Sequence, residues 1–434
     1  MRAQPTASLE PPLASSTLDI TFETDALSVL EAEFGRMGDA YRAHSPALGR
    51  DLWVLSHPDH VRHVLVDHHA SFRKGIGIER VAILLGNGIM TSEGEHWRVQ
   101  RKMLQPSFHR KIVATWMPHI HDATRKLADR WQRAGARGEP INVTQDMSEA
   151  TLDVILLALF GEDLDRFGSA FSLLTDHTAR NLAFAYKFRQ LGKLIMEDVE
   201  RRRRDGVRRD DIVTLLIEAR DRQSGEPMPD RQMLDEIMTL IIAGHETTAS
   251  SLNWFWTLLA QHPWVEARLH EEIGRQEIDR EAAPGYDDLA RFPYVRQAID
   301  EALRLYPPGW LLTRRSIAPS RIGAFELPAG TDVLVSPYLV HRHPRYWRDA
   351  QRFDPDRFAP GEAETRNRFA YLPFGLGPRA CIGEHLALIE MHAHAIMLAR
   401  RFKLSLVPGQ TIEIEPQVNL RTRQPVLMQV EIRP

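Results

Sequence analysis

With 434 residues, 43% of them hydrophobic and 26% charged, the chain has ordinary globular composition and enough length to bury a large core. Its 55 basic and 58 acidic side chains leave a formal net charge of −3, which excludes the basic excess of a nucleic-acid binder. A single cysteine excludes an internal disulfide, a Cys-rich zinc site and an iron–sulfur cluster, since each needs several thiols.

The first twenty residues, rich in Pro, Ser and Ala, lack the apolar core of a signal peptide and read as a flexible lead-in. No run approaches the ~20 apolar residues of a membrane span, so the expected location is cytoplasmic. Alternation predicts a strand at Asp51–Leu55, and three- and four-residue apolar spacing predicts helices at His57–Val66 and Ala150–Phe160. The basic run Arg201-Arg202-Arg203-Arg204, with Arg208 and Arg209, is interrupted by Asp205, Asp210 and Asp211 and reads as a solvated helix end or loop. A long helix is predicted over Arg231–Ala260, with Asp230 as its N-cap and its end near His262, before Pro263. At 1.5 Å per residue it is on the order of 50 Å long. Its apolar faces predict burial, with Asn253-Trp254-Phe255-Trp256 in the core. Strand patterning returns over Ile322–Pro337, around a Leu327-Pro328-Ala329-Gly330 turn. Glu384–Arg401 reads as an amphipathic helix, and the C-terminal TIEIEP and PVLMQVEIR alternate as strands. Length alone would suggest about three domains. With no linker or repeat visible, residues 21–434 are expected to form one mainly α domain with small β-sheets.

The strongest chemical signal is Phe374-Gly375-Leu376-Gly377-Pro378-Arg379-Ala380-Cys381-Ile382-Gly383. A lone cysteine is commonly a small buried apolar residue. Here it stands in a glycine-rich turn before a predicted helix, whose N-terminal N–H groups and dipole favour a negative sulfur. The segment matches every fixed position of FGxGxRxCxG and so resembles the haem-binding loop of the cytochrome P450 monooxygenases. The resemblance covers roughly residues 45–434, with further motifs in the family's order. It implies a cytochrome P450 fold with haem b clamped between the long central helix and the Cys-bearing helix. Cys381 is then the axial iron ligand, O2 the co-substrate, and Phe374, Gly375 and Gly383 part of the cofactor-binding loop.

Ala243-Gly244-His245-Glu246-Thr247-Thr248 resembles the family's oxygen-activation signature. Ala243 and Gly244 would keep the helix surface low for cofactor and dioxygen, while Glu246 and Thr247 would be the catalytic proton relay. A mid-helix Thr also commonly bonds its own backbone. His245 and Thr248 read as structural neighbours. Glu301 and Arg304, at i,i+3 spacing, share a helix face; the resemblance implies a buried structural cluster completed by Arg357 in the Phe353–Phe358 coil. Trp97, Arg101 and Arg379 are implied to hold the haem carboxylates, for which the planar guanidinium fork is suited. Arg314 or its neighbour Arg315 would join them, with spacing favouring Arg314.

The resemblance implies that electrons come from a separate ferredoxin or flavodoxin with its NAD(P)H-dependent reductase. Arg98, Lys102, Arg110 and Lys111 would offer positive charge to an acidic carrier docking near Cys381. Pocket walls are expected from Phe72–Met90, Phe167–Gly192, the helix before Ala243 and Pro308–Leu312. Leu84, Leu85, Ile89, Leu240 and Trp310 predict an apolar cavity for a hydrophobic small molecule. The stretch from Pro307 to Arg314 resembles bacterial terpenoid oxidases; a fatty acid or polyketide stays open. A monomer without nucleic acid or membrane span is expected. A peroxide-using peroxygenase and a non-catalytic haem-thiolate sensor are the alternatives. The former has no need of the Glu246–Thr247 relay, and the latter has no visible reporting module. His68-His69 and His341-Arg342-His343 lack a metal-ligand pattern.

Overall fold

Helices follow the apolar spacing through most of the chain. The computed structural model describes residues 10–21, 24–175, 182–206, 208–276 and 283–434. Part of the expected lead-in (residues 1–9) and part of the Phe167–Gly192 stretch (residues 176–181) lie outside the described residues. The helical motif residues and their packing partners are carried by α1 (Gly94–Leu104), α2 (Met117–Arg137), α3 (Val143–Phe160), α4 (Leu182–Asp205), α5 (Asp230–Gln261), α6 (Pro293–Leu305) and α7 (Glu384–Arg401). Among the described residues no helix is long and apolar enough to cross a membrane.

The expected long helix is α5, whose 32 residues span about 48 Å. It begins at Asp230 and is not capped by it: the Asp230 carboxylate is drawn to Arg203 at 2.5 Å. The expected helix over His57–Val66 splits into an α segment, Pro58–Arg62, and a π turn, His63–Asp67.

The chain forms two compact units: Met1–Glu79, Asp300–Cys381 and Ile414–Arg421 make the first, and Arg80–Ile299, Ile382–Glu413 and Thr422–Pro434 the second. The first carries a five-stranded sheet of β1 (Ala40–Ser45), β2 (Arg50–Leu55), β3 (Phe72–Lys74), β4 (Leu312–Ser316) and β5 (Asp332–Val335), ordered β1-β2-β5-β4-β3. Only the β2–β5 pair is parallel. Successive strand residues face opposite sides. Leu52, Val54 and Leu334 therefore join one apolar cluster, while Trp53, Leu55, Val333 and Val335 join another.

In the second unit α3 packs along α5. Ser148 bonds His245 Nε2 at 2.9 Å, and Thr144 Oγ1 donates to Asn253 Oδ1 at 3.0 Å. Asn253 through Trp256 are buried, as their pattern predicts, with Trp256 edge-on to Trp131 at 5.6 Å. A three-stranded antiparallel sheet places Leu427–Ile432 between Ile141–Asn142 and Phe402–Leu406.

The basic run at the end of α4 is solvated only in part: Arg203, Arg204 and Arg208 are exposed, but Arg201 and Arg202 are not. The Arg202 guanidinium is fully buried, 2.7 Å from each of Asp198 and Asp211 and 3.1 Å from Asp163, and donates to the Phe160 carbonyl at 2.9 Å. Arg201 and Arg209 also bind Asp163. Burial alone would raise the Asp163 carboxyl, yet bonds from Arg209 and Arg201 hold it below its usual range. Asp211, which in sequence dilutes the run, is instead a partner inside it. Removing one member of a buried ion cluster strands the others, so Arg202→Ala is expected to cost about 3–5 kcal/mol in urea unfolding. Arg204→Ala, on an exposed side chain, is expected to stay within about 0.5 kcal/mol of wild type.

Helix α7 buries His392 and His394, each pushed down to about 4, chiefly by burial. His392 Nε2 meets the Phe292 carbonyl at 3.0 Å, and His394 Nδ1 meets Thr124 Oγ1 at the same distance. Both are neutral when folded but gain a proton near pH 6.5 when unfolded. Their share of stability is therefore complete above pH 6.5 and is lost as pH falls from 6.5 toward 4. Unfolding free energies measured from pH 7.5 to 4.5 are expected to fall with acid, and to fall less steeply in a His392→Leu/His394→Leu variant.

Candidate functional site

The first unit holds the cysteine loop. The Cys381 N–H donates to the Phe374 carbonyl at 2.8 Å, and turn bonds at Gly375 and Ala380 tighten the bend. Gly377 is required on two counts. Its φ is +72°, and a Cβ there would lie 2.0 Å from the Leu65 carbonyl in the π turn. The Cys381 thiol is exposed, Phe374 and Arg379 are half-buried, and α7 begins at Glu384 after Gly383.

Glu301 and Arg304 lie fully buried on α6, with Nε–Oε2 at 2.6 Å and Nη2–Oε1 at 2.8 Å. The other Arg304 donors reach the carbonyls of His341 and Ala350, each at 2.8 Å, and of Arg352 at 3.1 Å. Arg357 Nε and the Asp354 N–H both donate to Glu301 Oε1, at 3.2 and 2.9 Å.

His341 stands outside the motifs legible in the sequence. Its Nε2 accepts from the Leu372 N–H at 2.9 Å, so the proton sits on Nδ1 and is donated to the Arg304 carbonyl at 3.1 Å. Burial, then the neighbouring Arg304, hold its pKa well below the ordinary histidine value. The neutral ring therefore bridges the buried ion cluster to Leu372, whose carbonyl in turn binds the Gly375 N–H of the cysteine loop. No residue-type pattern announces such a role, because both partners are backbone atoms.

Neighbouring arginines on β4 separate by strand alternation. Arg315 makes a two-point bond to Asp332, at 2.8 and 2.7 Å. Half-buried Arg314 sends one donor to the Thr313 carbonyl at 2.8 Å. Trp310 belongs to an apolar cluster of the first unit, and its indole N–H donates to the Gln417 carbonyl at 2.8 Å.

In the second unit α5 is buried over most of its length but opens at its middle, where Ala243, Gly244, Glu246 and Thr247 keep some exposure. Thr247 Oγ1 donates to the Ala243 carbonyl at 2.7 Å, the backbone bond that mid-helix threonines favour. Thr248 likewise bonds Gly244 O at 3.1 Å, and His245 is held by Ser148, so both are structural neighbours. Gly244 is also a helix-packing position. A Cβ there would meet Ile155 of α3 at 3.0 Å, so its missing side chain permits close helix packing. On α1, Trp97 and Arg101 are half-buried at i,i+4 spacing, and Arg101 Nε donates to Gln105 at 2.9 Å. Leu85, Ile89 and Leu240 are buried, whereas Leu84 is 43% exposed. Arg98 pairs with Glu95 at 2.7 Å, and Arg110 bonds and overlies Tyr286. Lys102 and Lys111 are exposed.

Within the first unit the donors fit a flat, carboxylate-bearing iron cofactor: exposed Cys381 on a loop that Gly377 keeps narrow, and the Arg314 and Arg379 guanidiniums, whose planar forks suit carboxylates. A profile described as Cytochrome P450 matches residues 27–195 and 164–431. The chain is 35% identical over 407 residues to cyclooctatin synthase of Streptomyces melanosporofaciens, covering 88% of this chain and 87% of that one. It is 33% identical over 381 residues to cyclooctat-9-en-7-ol 5-monooxygenase of the same organism, covering 83% and 82%. Pentalenene oxygenase of Streptomyces avermitilis is 30% identical over 380 residues, covering 83% of each. The crystal structure of a cytochrome P450DA heme domain matches with a TM-score of 0.86 at 25% identity, over 98% of each chain. These matches define a haem-dependent oxidoreductase that incorporates oxygen from O2. The chain belongs to the cytochrome P450 family.

His341→Leu removes both bridging bonds. It is expected to diminish the long-wavelength Soret band of the reduced carbon monoxide complex, while His341→Gln, which keeps an acceptor for Leu372, retains most of it. Equal bands in the two variants would show that the bridge does not position the loop.

Proposed function

We propose that this chain is a haem b monooxygenase that inserts one oxygen atom into a hydrophobic small molecule, foremost a terpenoid, by hydroxylation or epoxidation. The observation that carries this reading is the exposed Cys381 thiol in a loop whose Gly377 has no room for a side chain. When bound, haem supplies an iron centre at which O2 is activated, and thiolate donation favours O–O cleavage.

The chain's own residues then have definite tasks. Cys381 holds the iron, with Phe374, Gly375 and Gly383 forming its loop. Trp97, Arg101, Arg314 and Arg379 bind the carboxylates; Arg314 is preferred because Arg315 is already held by Asp332. Ala243 and Gly244 border the cofactor face of α5. Thr247 gives its proton to the Ala243 carbonyl at rest, which leaves its oxygen lone pairs to accept, and half-buried Glu246 connects the site to solvent protons. Glu301, Arg304 and Arg357 support the coil that leads to the loop. Leu84, Leu85, Ile89, Leu240 and Trp310 supply apolar walls. The printed names of the cyclooctatin and pentalenene relatives support a terpenoid over a fatty acid or polyketide.

Residues 21–434 act in this reading as one haem-binding domain, a cytoplasmic monomer served by a ferredoxin or flavodoxin and its NAD(P)H-dependent reductase. Exposed Arg98, Lys102 and Lys111 favour an acidic carrier, with Arg110 alongside. The test is turnover of a panel of cyclic terpenoids under 18O2 with ferredoxin and reductase. One labelled oxygen in product is expected. In Thr247→Ala, product is expected to fall by roughly 100-fold or more, while NAD(P)H consumption persists. Equal turnover with hydrogen peroxide alone, indifferent to Thr247, would favour a peroxygenase instead.

A further inference from the structure

The loop between the Ile78–Leu85 helix and α1 lies on the first turns of α5 with almost no side chains between them. Gly86 has φ +71°, and a Cβ there would lie 2.2 Å from Asp235 Oδ1. A Cβ at Gly88 would lie 2.5 Å from Thr239 Oγ1 and 2.7 Å from the Asp235 carbonyl. The loop is also bonded down. Asp235 Oδ2 accepts the Asn87 N–H, and Glu236 Oε2 accepts the Ile89 N–H, each at 2.9 Å. From the other side, Gln100 of α1 donates to the Asn87 carbonyl at 3.0 Å and accepts from Ser92 Oγ. The Glu236 side chain is completely buried and Asp235 is 7% exposed. A carboxylate withdrawn from water in order to accept backbone N–H groups makes strong bonds, which are costly to leave unmade.

The register along α5 gives this clamp its meaning. Glu236, Leu240, Ala243 and Thr247 follow one another at spacings of four, three and four, which places them on one face of the helix. The carboxylate that pins Ile89 therefore belongs to the same stripe as the threonine assigned to proton delivery. Eleven residues separate Glu236 from Thr247, about 16 Å along the axis. Ile89 and Leu240 are both buried, one turn of helix apart in attachment.

We infer that Asp235 and Glu236 are positioning residues for substrate selectivity: by pinning the loop of residues 86–92 to α5 they fix Ile89 as the end wall of the pocket. The wall limits how far an apolar substrate extends along α5 from the reacting end, and hence which carbon is presented there. Asp235 holds the loop backbone and Glu236 sets the wall residue itself. Gly86 and Gly88 are the space through which the clamp operates. This rests on the monooxygenase reading above, and the experiment separates the two.

The holoenzyme is titrated with n-alkylimidazoles of four to twelve carbons, whose nitrogen binds iron and whose chain measures the pocket. In wild type the Soret-detected affinity is expected to rise with chain length and then break where the chain meets Ile89. Glu236→Leu removes the acceptor. Exchange of the Ile89 amide is then expected to quicken roughly 10- to 100-fold, as for loss of a bond to a charged group, and the break to move to longer chains. Glu236→Gln keeps an acceptor and should restore both readouts. Gly88→Ala, which leaves both carboxylates in place but crowds Thr239, should move the break as Glu236→Leu does, and serves if that variant fails to fold. An unmoved break in Glu236→Leu or Gly88→Ala alongside faster Ile89 exchange would overturn the selectivity role, and unchanged exchange in Glu236→Leu would overturn the clamp. Absence of any imidazole-induced Soret shift in wild type would instead strike the haem reading and leave the loop geometry untouched.

Discussion

A guanidinium with no exposure to water must have its donors met by protein, and Arg304 satisfies this with all five N–H groups: two on Glu301 and three on the carbonyls of His341, Ala350 and Arg352. That requirement fixes the path of residues 341–352 around one side chain. Trp347 covers the cluster, with the Arg304 and Arg366 guanidiniums 5.0 and 4.0 Å from its ring centre. Replacing the cluster with apolar residues would remove the desolvation cost but also the directional constraint. In this chain the constraint is passed on: His341 carries it from the Arg304 carbonyl to Leu372, and the turn at Leu372 delivers it to the cysteine loop. Gly377 against Leu65 closes the loop from the opposite side.

The second unit shows the same economy in another form. The α3–α5 contact depends on Gly244 having no side chain and on His245 finding Ser148. Buried on that side, the helix is free to present Ala243, Glu246 and Thr247 on another. Near its start, buried carboxylates hold the adjoining loop through its backbone. One helix thus combines packing, a partly open face and a loop anchor.

What is legible in the sequence is what residue types at fixed spacing encode. The glycine-framed Cys381, the Glu301–Arg304 pair, the long helix and the alternating strands all have such a signature. Other features depend on partners distant along the chain. Arg202 reads as solvated because Asp163, one of its partners, lies some forty residues earlier. His341 and Glu236 bond backbone atoms, which leave no trace in residue identity. The partner of Arg315 shows only in the register of β4 against β5, which places Asp332 beside it. The packing of Gly244 against Ile155 likewise involves a partner far back along the chain.

The central claim is that one thiolate, Cys381, holds a haem iron. The visible spectrum of the protein, reduced with dithionite and exposed to carbon monoxide, beside that of Cys381→Ala, tests it most directly. A long-wavelength Soret band in the wild type that vanishes in the variant is the predicted result. A haem band indifferent to the substitution, or no haem band at all, would contradict it.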